Sequence, residues 1–133
     1  MTTHGCKDAT TDRQIVVDWW TRWPLANIGL PTGSKSGVVV IDFDFRSGGL
    51  DGLITLEKRK AVPATLEALT GNGLHLYYQC QGILVKNGVG LLPGIDVRGE
   101  GGYVVAPPSI HATFRRYEFI KGGARWERVK ERV

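Results

Sequence analysis

Asp42 and Asp44 stand one residue apart at the end of the run Val38-Val39-Val40-Ile41-Asp42-Phe43-Asp44. Four apolar residues, three of them valine, read as a buried strand. Alternate residues of a strand share a face, so both carboxylates point the same way, roughly 7 Å apart at Cα. Acids so placed repel each other unless a cation joins them. Hard oxygen donors in that arrangement suit Mg²⁺ or Mn²⁺. The plainer reading is a polar strand end facing water, since Asp also begins turns.

Two further groups carry chemistry. His75 follows Gly71-Asn72-Gly73-Leu74, in a stretch where glycines let another backbone or a phosphate come close. A histidine there can donate a hydrogen bond to a phosphate oxygen, or it is a partly buried side chain satisfied by a carbonyl. Asp96 and Arg98, in Gly94-Ile95-Asp96-Val97-Arg98, project to one face of a short strand. They read either as a same-face ion pair or as a third metal-site carboxylate beside a phosphate-binding arginine. Three carboxylates with a His and an Arg compose a two-metal phosphoryl-transfer site. Gly29 to Ser36 nearly spells a P-loop, but Ser34 replaces the glycine needed before Lys35. The segment also leads into a strand, whereas a P-loop opens a helix.

These residues need elements to hold them. Thr11-Asp12-Arg13-Gln14 reads as a capping box with Thr11 as the cap. Ile15, Val16, Trp19, Trp20 and Trp23 then fall on one helical face, read as core, and Pro24 ends the helix. Asn27 to Leu30 is a short strand; the tight turn to Val38 predicts an antiparallel pair of these two strands. Ser47 to Ala61 is amphipathic and helical, ending before Pro63. Thr65 to Thr70 and Leu74 to Gln79 flank a hairpin turn. Ile95 to Val97, Gly102 to Val105 and Tyr117 to Ile120 are further strands, and Pro107-Pro108 breaks the sheet. This order predicts an α+β domain with a mostly antiparallel sheet and helices on one face.

The chain of 133 residues reads as one domain, 1–133, with 42% hydrophobic and 23% charged residues, as in a soluble globular protein. No apolar run approaches the roughly 20 residues of a membrane span. The polar N-terminus has no signal-peptide core, residues 1–9 read as loosely ordered, and Cys6 and Cys80 read as reduced thiols, which together place the protein in the cytoplasm. The net charge is +4. Arg115, Arg116, Lys121, Arg125, Arg128, Lys130 and Arg132 cluster near the C-terminus, and 121–133 reads as a basic tail able to track a phosphate backbone. The plainer reading is a solvated surface tail.

The order of motifs resembles the prim-pol domain, the bifunctional DNA primase/polymerase N-terminal family of the archaeo-eukaryotic primase superfamily. The matching stretches are HGCKDATTD (4–12), the tryptophan helix, ANIGLPTGSKSGVVVIDFD (26–44), TGNGLHLYY (70–78) and GIDVRGEGGYVVAPPSIH (94–111). The resemblance implies an RRM-like primase-polymerase core. Asp42, Asp44 and Asp96 would then be the metal-binding acids, and His75 the contact to the incoming nucleotide's phosphates. Arg98 lies in a matched stretch and is read as a second phosphate contact.

Compared with the family, the match starts at residue 4, so the domain reads as N-terminally short. Phe114 stands where a glycine is frequent. The implied activity is template-directed nucleotidyl transfer with two Mg²⁺ or Mn²⁺ ions, in replication of a phage, plasmid or other mobile element. The implied partners are a single-stranded DNA template, a primer and nucleoside triphosphates, with a replicative helicase as a further partner. Two other readings stay open: a non-catalytic nucleic-acid or nucleotide-binding module, and a metal-dependent nuclease.

Overall fold

Asp12 begins the first helix, α1 (Arg13–Arg22), in a computed structural model that describes residues 2–121 and 123–133. Its carboxylate accepts the backbone N–H of Gln14 and Ile15 at 2.9 and 3.2 Å. The cap is therefore Asp12 and not Thr11. The carboxylate both satisfies orphan donors and faces the positive end of the helix. Gln14 turns forward to Asp18 instead of reaching back. Ahead of α1 the chain makes a 3₁₀ turn at Gly5–Asp8, and Lys35 Nζ donates to the Lys7 carbonyl at 2.6 Å. The same contact uses the lysine of the P-loop-like segment, whose Ser34 is bound to Glu100.

The chain continues through β1 (Ile28–Pro31), β2 (Val38–Asp44), α2 (Gly49–Lys58), β3 (Leu66–Leu69) and β4 (Gly73–Gln79). It then forms β5 (Gly88–Leu92), β6 (Ile95–Arg98), β7 (Tyr103–Ala106), β8 (Glu118–Phe119) and α3 (Arg125–Val129). Six strands form one sheet in the order β5-β6-β2-β4-β3-β8, with every pairing antiparallel. The fold is thus α+β and antiparallel, as expected.

The predicted β1–β2 pair is not formed. An isolated bridge, Gly33–Val38, joins the turn after β1 to the start of β2, and β1 itself pairs with β7 in a separate two-stranded ribbon. β2 already has β4 and β6 on its two edges, so no edge remains for β1. Strand β5 carried no clear sequence signal. Its glycines and exposed Val89, Leu91 and Leu92 do not alternate as a half-buried strand does.

The two faces of the sheet have different tasks. Phe43, Leu69, Leu74, Leu76 and Ile95 pack with Leu53 of α2 and Val129 of α3 into the main core. Fully burying such side chains stabilises by about 1.5–3 kcal/mol each. On the other face Val40, Ala68 and Tyr77 meet Val104 and Leu30 of the ribbon. The even-numbered residues of β2, including Asp42 and Asp44, belong to this second face.

Two sequence expectations change. No residue of α1 is buried, and Trp19, Trp20 and Trp23 are half-buried and absent from both clusters. The tryptophan stripe is a flank and not the core, because α2 and α3 already cover the sheet face that needs an apolar layer. The basic C-terminal segment is built into the fold. Arg125 pairs with Glu57 and Glu67, and Arg128 donates to Glu118 at 2.5 Å. Arg132 Nε donates to the Thr70 carbonyl at 2.9 Å. Those three guanidinium groups serve internal partners and do not project as a phosphate-tracking tail. Among the described residues no helix is long and apolar enough to cross a membrane.

Candidate active site

β2 runs down the middle of the sheet, and its register decides the site. Asp42 lies opposite Asp96 of β6 on one side and opposite His75 of β4 on the other. The three form one row across three strands, on the face away from the main core. Directly opposed residues of antiparallel strands hold their Cβ atoms about 5 Å apart, so their side chains must meet. His75 Nε2 is 3.3 Å from Asp42 Oδ1. A single nitrogen, Arg98 Nη2, is 2.7 Å from Asp96 Oδ2 and 3.4 Å from Asp42 Oδ2. The remaining Asp96 oxygen accepts the Gly90 N–H at 2.6 Å.

Asp44 is the next residue on the same face. Its Oδ1 accepts the Arg46 N–H at 3.0 Å and its Oδ2 the Ser47 hydroxyl at 3.1 Å, capping a 3₁₀ turn at Phe45–Ser47. Opposite Asp44 the partner strand carries Gly73. A Cβ there would lie 1.8 Å from the Phe43 carbonyl oxygen, so only glycine fits this approach.

Burial works to raise the Asp42 pKa, but the His75 hydrogen bond and the His75 and Arg98 charges outweigh it. The carboxyl is held below its ordinary range and stays ionised. Tyr77 is two residues beyond His75 and shares its face; its hydroxyl is 3.4 Å from His75 Nδ1. Burial pushes the Tyr77 phenol up to about 12, with the charges of Asp42 and Tyr117 adding to the effect. At neutral pH it is therefore a neutral partner for the imidazole.

Two clefts open beside this row. One, of about 150 Å³, is bordered by Asp42, Asp44, Arg46, Asn72, His75 and His111. The other, of about 380 Å³, is bordered by Asp42, His75, Asn87, Arg98, Tyr103 and Val104. Tyr117 borders both, and its ring centroid is 6.0 Å from those of His75 and His111. Residue type and spacing alone do not single out Tyr77, Tyr117, His111 or Arg46. Tyr77 was legible by alternation from His75, whereas Tyr117 and His111 arrive through the turn after β7, which has no period to read.

The five expected residues are thus together, with one difference among them. Asp42 and Asp44 border the first cleft, whereas Asp96 borders neither and is engaged by Arg98 and Gly90. Among the described residues no three His, Cys, Asp or Glu side chains are grouped so as to hold a metal ion by themselves. Mg²⁺ is commonly held by one or two carboxylates, with substrate phosphates completing its shell. Asp42 and Asp44 at a cleft wall supply that donor set, so the residues present fit a hard divalent cation.

No curated protein and no solved structure matches the chain. The sequence profile described as bifunctional DNA primase/polymerase, N-terminal, matches residues 1–131. That family is one of nucleotidyl-transferring DNA primases and polymerases, acting with DNA and nucleotides and generally using divalent metals. A match over nearly the whole length shows that the chain belongs to the bifunctional DNA primase/polymerase N-terminal family.

Proposed function

We propose that residues 1–133 form one catalytic domain that extends a DNA primer on a template. The 3′-hydroxyl of the primer attacks the α-phosphate of a nucleoside triphosphate, and pyrophosphate leaves. The observation that carries this reading is the Asp96–Asp42–His75 row, continued by Asp44, in which Asp42 and His75 border both clefts and Asp44 borders the first. Its place would be in the replication of a phage, plasmid or other mobile element.

Asp42 and Asp44 would hold Mg²⁺ or Mn²⁺ at the cleft, with Asp96 as the third acid. The chemistry supplied by bound ions is a lowered pKa for the attacking hydroxyl and neutralisation of the phosphates. The chain's own groups position and compensate charge. The depressed pKa keeps Asp42 anionic. His75, fixed between Asp42 and Tyr77, presents its ring to both clefts and orients the triphosphate. Arg98 faces the second cleft as a further phosphate contact.

The test is extension of a labelled primer on a single-stranded template, with Mg²⁺ or Mn²⁺ and triphosphates. Asp42→Asn and Asp44→Asn should each reduce incorporation by at least about 100-fold in a protein that remains folded. Near-normal incorporation by either variant overturns the assignment. A second reading, a non-catalytic binding module, rests on one observation: Asp42 and Asp44 already have protein partners. It predicts DNA or nucleotide binding that survives Asp42→Asn, with no extended product from the wild type.

A further inference from the structure

The position of Arg98 has a consequence for how a cation would enter. Asp42 and Asp96 are register partners, and each commits one oxygen elsewhere: Asp42 Oδ1 to His75 and Asp96 Oδ1 to the Gly90 N–H. The two remaining oxygens both face Arg98 Nη2, at 3.4 and 2.7 Å. One nitrogen therefore lies between two carboxylates, where a bridging divalent ion would have to lie. Such an ion takes its oxygens at about 2.0–2.1 Å, which leaves no room for a guanidinium and sets two positive groups against each other. Arg98 sits on β6 opposite Val40, and its side chain also borders the larger cleft. Its side chain is 29% exposed, so a path outward exists on that side.

We propose that Arg98 is a built-in competitor for the metal at the Asp42–Asp96 pair. The guanidinium holds the two acids together, and a cation entering between them releases it into the adjacent cleft, where it can meet a phosphate. Metal binding and phosphate binding are thereby coupled through one side chain. This rests on the metal-site reading above and goes beyond it by assigning Arg98 two alternative partners.

A merely supportive arginine predicts the opposite of a competing one, which makes the test direct. Mn²⁺ affinity is measured by calorimetry and by electron paramagnetic resonance, without nucleotide, for the wild type, Arg98→Gln and Arg98→Lys. Arg98→Gln should bind Mn²⁺ about fivefold more tightly, the scale of one partly exposed ion pair removed, with Arg98→Lys between. Inorganic tripolyphosphate should bind Arg98→Gln more weakly than wild type when Mn²⁺ is present. A second measurement needs no variant fold: the Arg98 guanidinium resonance of the wild type should shift on Mg²⁺ titration. Unchanged or weaker Mn²⁺ binding by a folded Arg98→Gln, or a resonance indifferent to bound Mg²⁺, overturns the proposal. Absence of Mn²⁺ binding by the wild type overturns the metal-site reading itself, and this inference with it.

Discussion

His75 and Asp42 face each other across the β2–β4 pair, with the imidazole Nε2 3.3 Å from the carboxylate Oδ1. This contact and the Arg98 charge keep the Asp42 pKa below its ordinary value against the opposing effect of burial. A carboxyl whose folded pKa is depressed stabilises the fold above its unfolded pKa, about 3.9 for Asp. That contribution is lost as pH falls through the lower folded value. Asp42→Asn should therefore cost about 1.5–3 kcal/mol near neutral pH, the scale of a charged hydrogen bond. The difference from wild type should shrink as pH falls below about 4. Urea unfolding of both proteins across pH 3–7 measures it; a difference that stays constant with pH contradicts the charge-based account.

Gly73→Ala should be much more damaging than an ordinary glycine substitution. The added methyl would meet the Phe43 carbonyl oxygen at 1.8 Å, beside the backbone that presents Asp44. Overpacking against a backbone atom in a central strand costs about 3 kcal/mol. Thermal unfolding should show that loss, and primer extension should fall with it because the β2–β4 register carries both Asp42 and His75. A variant of wild-type stability would show that the two strands can separate without penalty.

Phe114→Gly should stabilise the protein. Phe114 has φ +63° and is 92% exposed, so it bears the left-handed penalty with no packing to offset it. The penalty is about 1–2 kcal/mol, and the greater unfolded-state entropy of glycine returns about 0.5–1 kcal/mol of that. A rise in melting temperature of about 3 °C is expected. A fall would show that the ring makes a stabilising contact elsewhere.

The C-terminal arginines should matter to stability more than to DNA affinity. Val129 of α3 is 1% exposed in the main core, and Arg125 joins Glu57 of α2 to Glu67 of β3. Arg125→Met should leave two partly buried carboxylates without their partner and cost about 3 kcal/mol. The salt dependence of single-stranded DNA binding, followed by fluorescence anisotropy, should keep its slope. A slope reduced by about one would mean that Arg125 neutralises a phosphate after all.

The elements that local chemistry dictates were legible along the chain. The valine run predicts β2, the Gly71-Asn72-Gly73 turn predicts the β3–β4 hairpin, and the alternation of Asp42 with Asp44 and of Asp96 with Arg98 predicts a shared face for each pair. These depend on periodicity and turn geometry within a few residues, which sequence specifies directly. The resemblance to the primase/polymerase family was likewise carried by short runs in a fixed order.

Tertiary structure alone decided the rest, because it depends on which edges and faces are free. The two edges of β2 are taken by β4 and β6, so β1 goes to β7, although β1 and β2 are neighbours in sequence. α2 and α3 cover the apolar face, so the tryptophans of α1 stay half-buried and the C-terminal arginines pair internally. The cross-strand register, set by the whole sheet, puts Asp96 and His75 on either side of Asp42 and brings Arg98 between two acids far apart in the chain. No local pattern encodes that meeting, since it arises only when strands separated by long connections choose one alignment.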